Sequence, residues 1–158
     1  MIRKDLQLAL KNKNVLAFLK AIRLGEGTLE GGDEGYYRIV GGGTFQDTSK
    51  HPNIRVWIPR YNVYSSAAGA YQFIFRTWQS LCKQYGFTDF EPETQDEGAV
   101  ALIAEKGALN NVIFGELKTA LHKCAPVWAS LPDSKAGQRT EKYEAIEKVY
   151  LTAGGSLS

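Results

Sequence analysis

Val15, Phe18, Leu19 and Ile22 recur at three- and four-residue steps, the spacing of one apolar face of an α-helix running from Val15 to about Gly25. Asn14 stands just before it and suits a cap, because its side chain can accept an orphan backbone N–H of the first turn. Upstream, MIRKDLQLALKNKNVLAF starts basic, but Lys11 and Lys13 interrupt its apolar part, which is not the pattern of a secretory signal. From Gly27 to about Ala68 the helical period is lost. GYYRIVGGGTF predicts two short strands around a glycine turn. HPNIRVWIPRYNVYSS, with two prolines, predicts loop and one further extended segment. Helical spacing then returns. AGAYQFIFRTWQSLCKQYG predicts a helix from about Gly69 to Tyr85, capped by Gly86, and the next starts near Pro92 and stops at Gly107. GELKTALHKCAPVWASLP gives a shorter helix ended by Pro126, and RTEKYEAIEKVYLTAGG a last one closed by Gly154. A helix, a small lobe of strands and loops, and then a helical bundle make an α+β fold. The expectation is one domain over 1–158, with a helical lobe at about 1–26 and 69–158 and a β and loop lobe at about 27–68.

Composition narrows the function classes. At 158 residues and 44% hydrophobic, the chain can bury one sizeable core. Nineteen Lys and Arg against 17 Asp and Glu leave a net charge of +2, without the clustered basic excess of a nucleic-acid binder. No apolar run approaches the roughly 18 residues of a membrane span, so no stable membrane association is expected. Cys82 and Cys124 stand far apart without a CxxC pattern, and His51 and His122 fall on no two-histidine helical motif. No metal site and no cofactor is expected, and the cysteines read as small buried hydrophobes in a reducing compartment. The lobe of Tyr36, Tyr37, Trp57, Tyr61 and Tyr64 is too rich in large aromatics for a linker.

One carboxylate stands out. Glu26 lies four residues past Ile22, on the line of the buried stripe, at the helix C-terminus where the macrodipole disfavours an anion. Desolvation and the exposed carbonyls both raise its pKa, which would keep a proton available for general acid catalysis. Gly25 and Gly27 flank it and would leave room for a polymer to approach. An acid facing tyrosines, tryptophans and glycines suits cleavage of a glycosidic bond, because sugar rings stack on aromatic faces. Such reactions usually use a second carboxylate. Glu30, Asp33 and Glu34 sit in LEGGDEG, which reads as a solvated turn. Asp47, in FQDTSKHP, reads equally as a cleft residue or as a turn aspartate bonding its own backbone.

GEGT, GYYRIVGGGTFQDTSKHP, SSAAGAYQ, TQDEGAVALIAEKGAL and VWASLP, in this order and spacing, resemble the phage lambda endolysin family of lytic transglycosylases. The resemblance spans about Asn14 to Gly155. It implies a lysozyme-like fold with a saccharide cleft, cleavage of the β-1,4 bond between N-acetylmuramic acid and N-acetylglucosamine of peptidoglycan, and Glu26 at the position of the family's catalytic glutamate. It also implies substrate contacts by Tyr71 and Gln72 of GAYQ, by Tyr36 and Asp47, and by Gln138 in KAGQ. The chain departs from the lambda pattern at Tyr37, Ala70 and Ala136, where that pattern has aspartate, arginine and tyrosine. The implied products are 1,6-anhydromuramyl ends. The alternatives are a hydrolytic muramidase, in which Asp47 orients a water, and a non-catalytic glycan-binding module. The implied biology is a monomer that partners with glycan strands. It would wait in the host bacterial cytoplasm until a holin, acting only indirectly through the membrane lesion, releases it to the wall.

Overall fold

A computed structural model describes residues 1–132 and 143–158. Its chain starts with a short helix, α1 (Arg3–Ala9), which the apolar pattern does not signal. The Asp5 carboxylate accepts from the Ile2 N–H at 2.8 Å, and Arg3 forms an ion pair with Glu97 at 2.8 Å, which fastens α1 to α4.

The main helix, α2 (Lys13–Glu26), begins two residues earlier than its apolar stripe suggests, because Asn12 and not Asn14 is the cap. Asn12 Oδ1 accepts from the N–H groups of Asn14 and Val15. Asn14 is buried inside the helix and serves tertiary structure. Its Nδ2 donates to the Ile113 carbonyl at 3.0 Å, and its Oδ1 accepts from the Ser156 N–H at 2.9 Å. Val15, Phe18, Leu19 and Ile22 are essentially inaccessible to solvent. Each such side chain contributes roughly 1.5–3 kcal/mol by leaving water.

After α2 the chain makes a 3₁₀ turn (Gly32–Tyr37) where two strands were expected, and only single bridges, Arg38 to Thr44 and Ile39 to Ala68, mark the glycine turn. The regular strands lie later, in the segment expected to be mostly loop. β1 (Val56–Ile58) pairs antiparallel with β2 (Val63–Ser65), with Trp57 opposite Tyr64 and Ile58 opposite Val63. Short strands leave too few alternating positions for the period of two to be legible. Directly opposed residues share a face, so Trp57 and Tyr64 project to one side and Ile58 and Val63 to the other.

The GAYQ segment is also not helical. Ala68 bridges Phe73, Gln72 adopts φ 51°, and the helix, α3 (Phe75–Tyr85), starts only afterwards, ending at Gly86 as its pattern indicates. α4 (Pro92–Glu105), with proline in its first turn, is buried on most of its circumference and packs against α1, α2 and α3. α5 (Leu109–Ile113), α6 (Leu117–Cys124) and α7 (Tyr143–Thr152) complete the bundle, with α7 packed along α2. One continuous apolar core joins these helices to Tyr36 and Phe45 of the small lobe. No described helix is long and apolar enough to cross a membrane.

Candidate active site

The site begins with how α2 ends. Gly27 takes the left-handed conformation, φ 75°, and donates its N–H to the Leu24 carbonyl, while the Thr28 N–H reaches the Arg23 carbonyl. This pair of bonds stops the helix at Glu26 and favours glycine at position 27. The Thr28 hydroxyl then donates to the Ala70 carbonyl at 2.6 Å, tying the GEGT turn to the GAYQ turn. Gly25 has a different role from the open space expected of it. A Cβ there would stand 2.8 Å from Ser130 Oγ, so glycine lets the buried Ser130 come close.

That approach matters because the Ser130 hydroxyl donates to Glu26 Oε2 at 2.6 Å. Glu26 is partly buried, and burial pushes its carboxyl up to about 7, against the opposing pull of the Ser130 hydrogen bond. The carboxyl lines a cleft of about 560 Å³ between the bundle and the β-hairpin. Gln72 and Ser130 form part of its wall, and Ile58 and Val63 face it from the hairpin. Among the described lining residues, Glu26 is the one carboxylate.

Gln72 joins Glu26 in this wall. Its backbone takes φ 51°, and its Nε2 donates to the Gly69 carbonyl at 2.8 Å, leaving Oε1 without a hydrogen bond to another described residue. Tyr71 and Tyr36 do not join it. Tyr71 is fully buried and Tyr36 nearly so, which corrects the expectation that they touch substrate. Their hydroxyls donate to the same Asp96 oxygen, at 2.5 and 2.8 Å, and accept from Arg23 Nη1 at 3.2 and 2.6 Å. Burial raises the pKa of both phenols and of Asp96, so the tyrosines remain donors. The neighbouring Gln95, fully buried, accepts from the Ala70 N–H and donates to the carbonyls of Tyr36 and Phe90. Together these groups position the GAYQ turn from behind.

Asp47 is also corrected. It is exposed, lies outside the cleft lining, and its Oδ1 accepts from the Ser49 N–H at 2.9 Å; hydrogen bonding to the Ser49 side chain first, and to its backbone second, lowers its pKa. It is the turn-forming aspartate of its alternative reading. Glu30, Asp33 and Glu34 are exposed on the 3₁₀ segment and its approach. Gln138 lies outside the described residues, as does Ala136. Ser130, Arg23, Gln95 and Asp96 carry no isolated motif that marks them. The one signal was a serine set among apolar neighbours in VWASLP, where a polar group needs a partner.

An acid held at the end of a buried helix over a sugar-sized cleft now meets its relatives. The family model described as Endolysin matches residues 16–157. The chain belongs to the endolysin family. Membership makes it a peptidoglycan-cleaving enzyme of phage type. It is 37% identical to the endolysin of Escherichia phage lambda over 92% of this chain and 94% of that protein, and 36% identical to the endolysin of Escherichia phage P2 over 91% and 94%. Its fold is similar to that of bacteriophage lambda lysozyme solved with a chitohexasaccharide, at a TM-score of 0.86 and 36% identity, covering 93% of this chain and 97% of that one. The lysozyme-like α+β architecture of an endolysin is therefore established for this chain.

Proposed function

We propose that this endolysin is a lytic transglycosylase that cuts the β-1,4 bond between N-acetylmuramic acid and N-acetylglucosamine and leaves 1,6-anhydromuramyl ends. The observation that carries the reading is a cleft whose described lining holds a single carboxyl, raised to about 7. At its ordinary pKa of 4.5 this acid would be protonated in roughly one molecule in 300 at pH 7, whereas a pKa near 7 leaves about half of the molecules charged with a proton.

Protonated Glu26 gives its proton to the glycosidic oxygen as the C1–O bond breaks and the muramyl ring gains oxocarbenium character. The C6 hydroxyl of the same sugar attacks C1, and the Glu26 carboxylate takes the proton that hydroxyl releases. Glu26 ends protonated, as it began. An internal hydroxyl held near its target has the entropic advantage of an intramolecular reaction, so no protein nucleophile is required. Ser130 favours the ionised form needed in the second half, while burial favours the protonated form needed in the first. Gln72 Oε1 is available to accept from a hydroxyl or acetamido N–H of the sugar. The chitohexasaccharide held by lambda lysozyme supports a glycan strand as occupant of the equivalent cleft. The engagement of Asp47 in its own turn, outside the cleft lining, supports this reading over a hydrolysis in which Asp47 orients a water. In the same reading the enzyme works as a monomer at the wall, after a holin lesion releases it from the host cytoplasm.

Digested peptidoglycan analysed by mass tests this directly. Transglycosylation gives muramyl ends one water lighter than reducing ends, and finding reducing ends alone overturns the mechanism. Glu26→Gln, which preserves shape, is expected to lower clearing of a sacculus suspension at least a hundredfold.

A further inference from the structure

The cleft has a continuation. Gln72, Ile74 and Val127 line it on one side and line a second groove of about 470 Å³ on the other. This groove runs between α3, the end of α4 and the segment 126–128, and buried Trp128 forms part of its floor. The cleft holds Glu26 and Arg60, and the edge of this groove likewise carries charges of both signs. Arg76 and Lys106 are exposed, and neither makes an ion pair or hydrogen bond with another described residue; Glu105 stands beside Lys106.

We propose that this groove receives the peptide stem borne by the muramyl sugar, an inference that rests on the peptidoglycan reading above. A glycan backbone of N-acetylated sugars is neutral and offers these two cations hydrogen-bond acceptors but no opposite charge. The stem differs in chemistry. It branches from the lactyl ether of the sugar ring, so it must leave the line of the glycan close to the scissile bond. It carries free carboxylates and, before cross-linking, a side-chain amine. The Arg76 guanidinium can hold a carboxylate by two parallel hydrogen bonds and the Lys106 ammonium adds a second positive point charge. Glu105 provides the counterpart for the amine. The ridge of Gln72, Ile74 and Val127 is where the branch would cross from one hollow to the other, next to the acid. Stem recognition at this edge would favour muramyl sugars that still bear their peptide.

Two soluble substrates test it with the whole chain: glycan strands bearing their stems, and the same strands stripped of them by an amidase. The unaltered protein is expected to show a kcat/KM about five- to tenfold higher on the stem-bearing strands, the scale of two exposed, partly screened charge pairs. Arg76→Glu with Lys106→Glu should abolish that preference through KM and leave turnover of the stripped strands within twofold. The neutral pair Arg76→Gln with Lys106→Gln should give an intermediate loss, and thermal melts of both variants verify folding. An equal loss on both substrates would mean that the groove holds sugar rings, and overturns the proposal. No loss on either overturns it too. Failure of the unaltered protein to cleave either substrate is a separate result, which removes the peptidoglycan reading and the stem groove with it.

Discussion

Glu26 is held in a balance that one hydroxyl adjusts. Burial raises its pKa and the Ser130 hydrogen bond lowers it, with burial dominant. Ser130→Ala removes the opposing influence, so the alkaline limb of the pH–activity profile should move up from about pH 7. A limb that moves down instead would mean the hydroxyl does not stabilise the ionised acid. The same balance affects stability. The folded pKa lies above the ordinary 4.5, so the folded state binds a proton more tightly than the unfolded chain. The resulting stability is fully present below pH 4.5 and is lost as pH rises through about 7. Glu26→Gln cannot ionise and escapes this loss. Relative to the unaltered chain it should be about 3 kcal/mol more stable at pH 8.5 and nearly equal at pH 4.5, by urea midpoints at both pH values. Equal stability at pH 8.5 would show that the carboxyl ionises there without a penalty.

The elements show how local signals and tertiary demands divide the work. Two asparagines two residues apart at the start of α2 look interchangeable in sequence. Asn12 satisfies helix N–H groups, which Asn12→Ala should register as a loss of about 1 kcal/mol. Asn14 holds α5 and the C-terminal segment to α2, and Asn14→Ala leaves the Ile113 carbonyl and the Ser156 N–H without that partner, a cost of about 2–3 kcal/mol. Denaturant midpoints of the two variants, side by side, should therefore fall in that order. The reverse order would assign the cap to Asn14 after all. Helices with glycine or proline punctuation, α3 at its end and α4 at both, were legible from sequence. The hairpin and the GAYQ turn were not, because three-residue strands and a single residue at φ 51° have no periodic signature.

Across the whole molecule, the two lobes meet at a buried polar junction. Arg23 of α2, Tyr36 of the 3₁₀ turn, Tyr71 of the GAYQ turn and Asp96 of α4 share one set of hydrogen bonds. Removing one member leaves the others desolvated and unpaired, which is more damaging than the net worth of the contact. Asp96→Ala should lower the unfolding free energy by about 3–5 kcal/mol in urea titrations, with a melting point lower by roughly 10 °C. A loss below 1 kcal/mol would show that apolar packing alone holds the lobes together. This junction explains why aromatic residues expected at the substrate lie behind the site instead. A tyrosine can pack in a core as well as against a sugar, and its sequence neighbours do not say which.

The chain's own order of residues determined the α+β class, the main helix and its buried stripe, and an acid at the costly end of that stripe, because helical period and end signals are local. It also carried the family motifs. Whether Asp47 reached the cleft, whether Tyr36 and Tyr71 faced sugar or core, and which hydroxyl met Glu26 were decided only when segments distant in sequence came together. Ser130 lies 104 positions from Glu26, and no short-range pattern encodes a contact made across that distance.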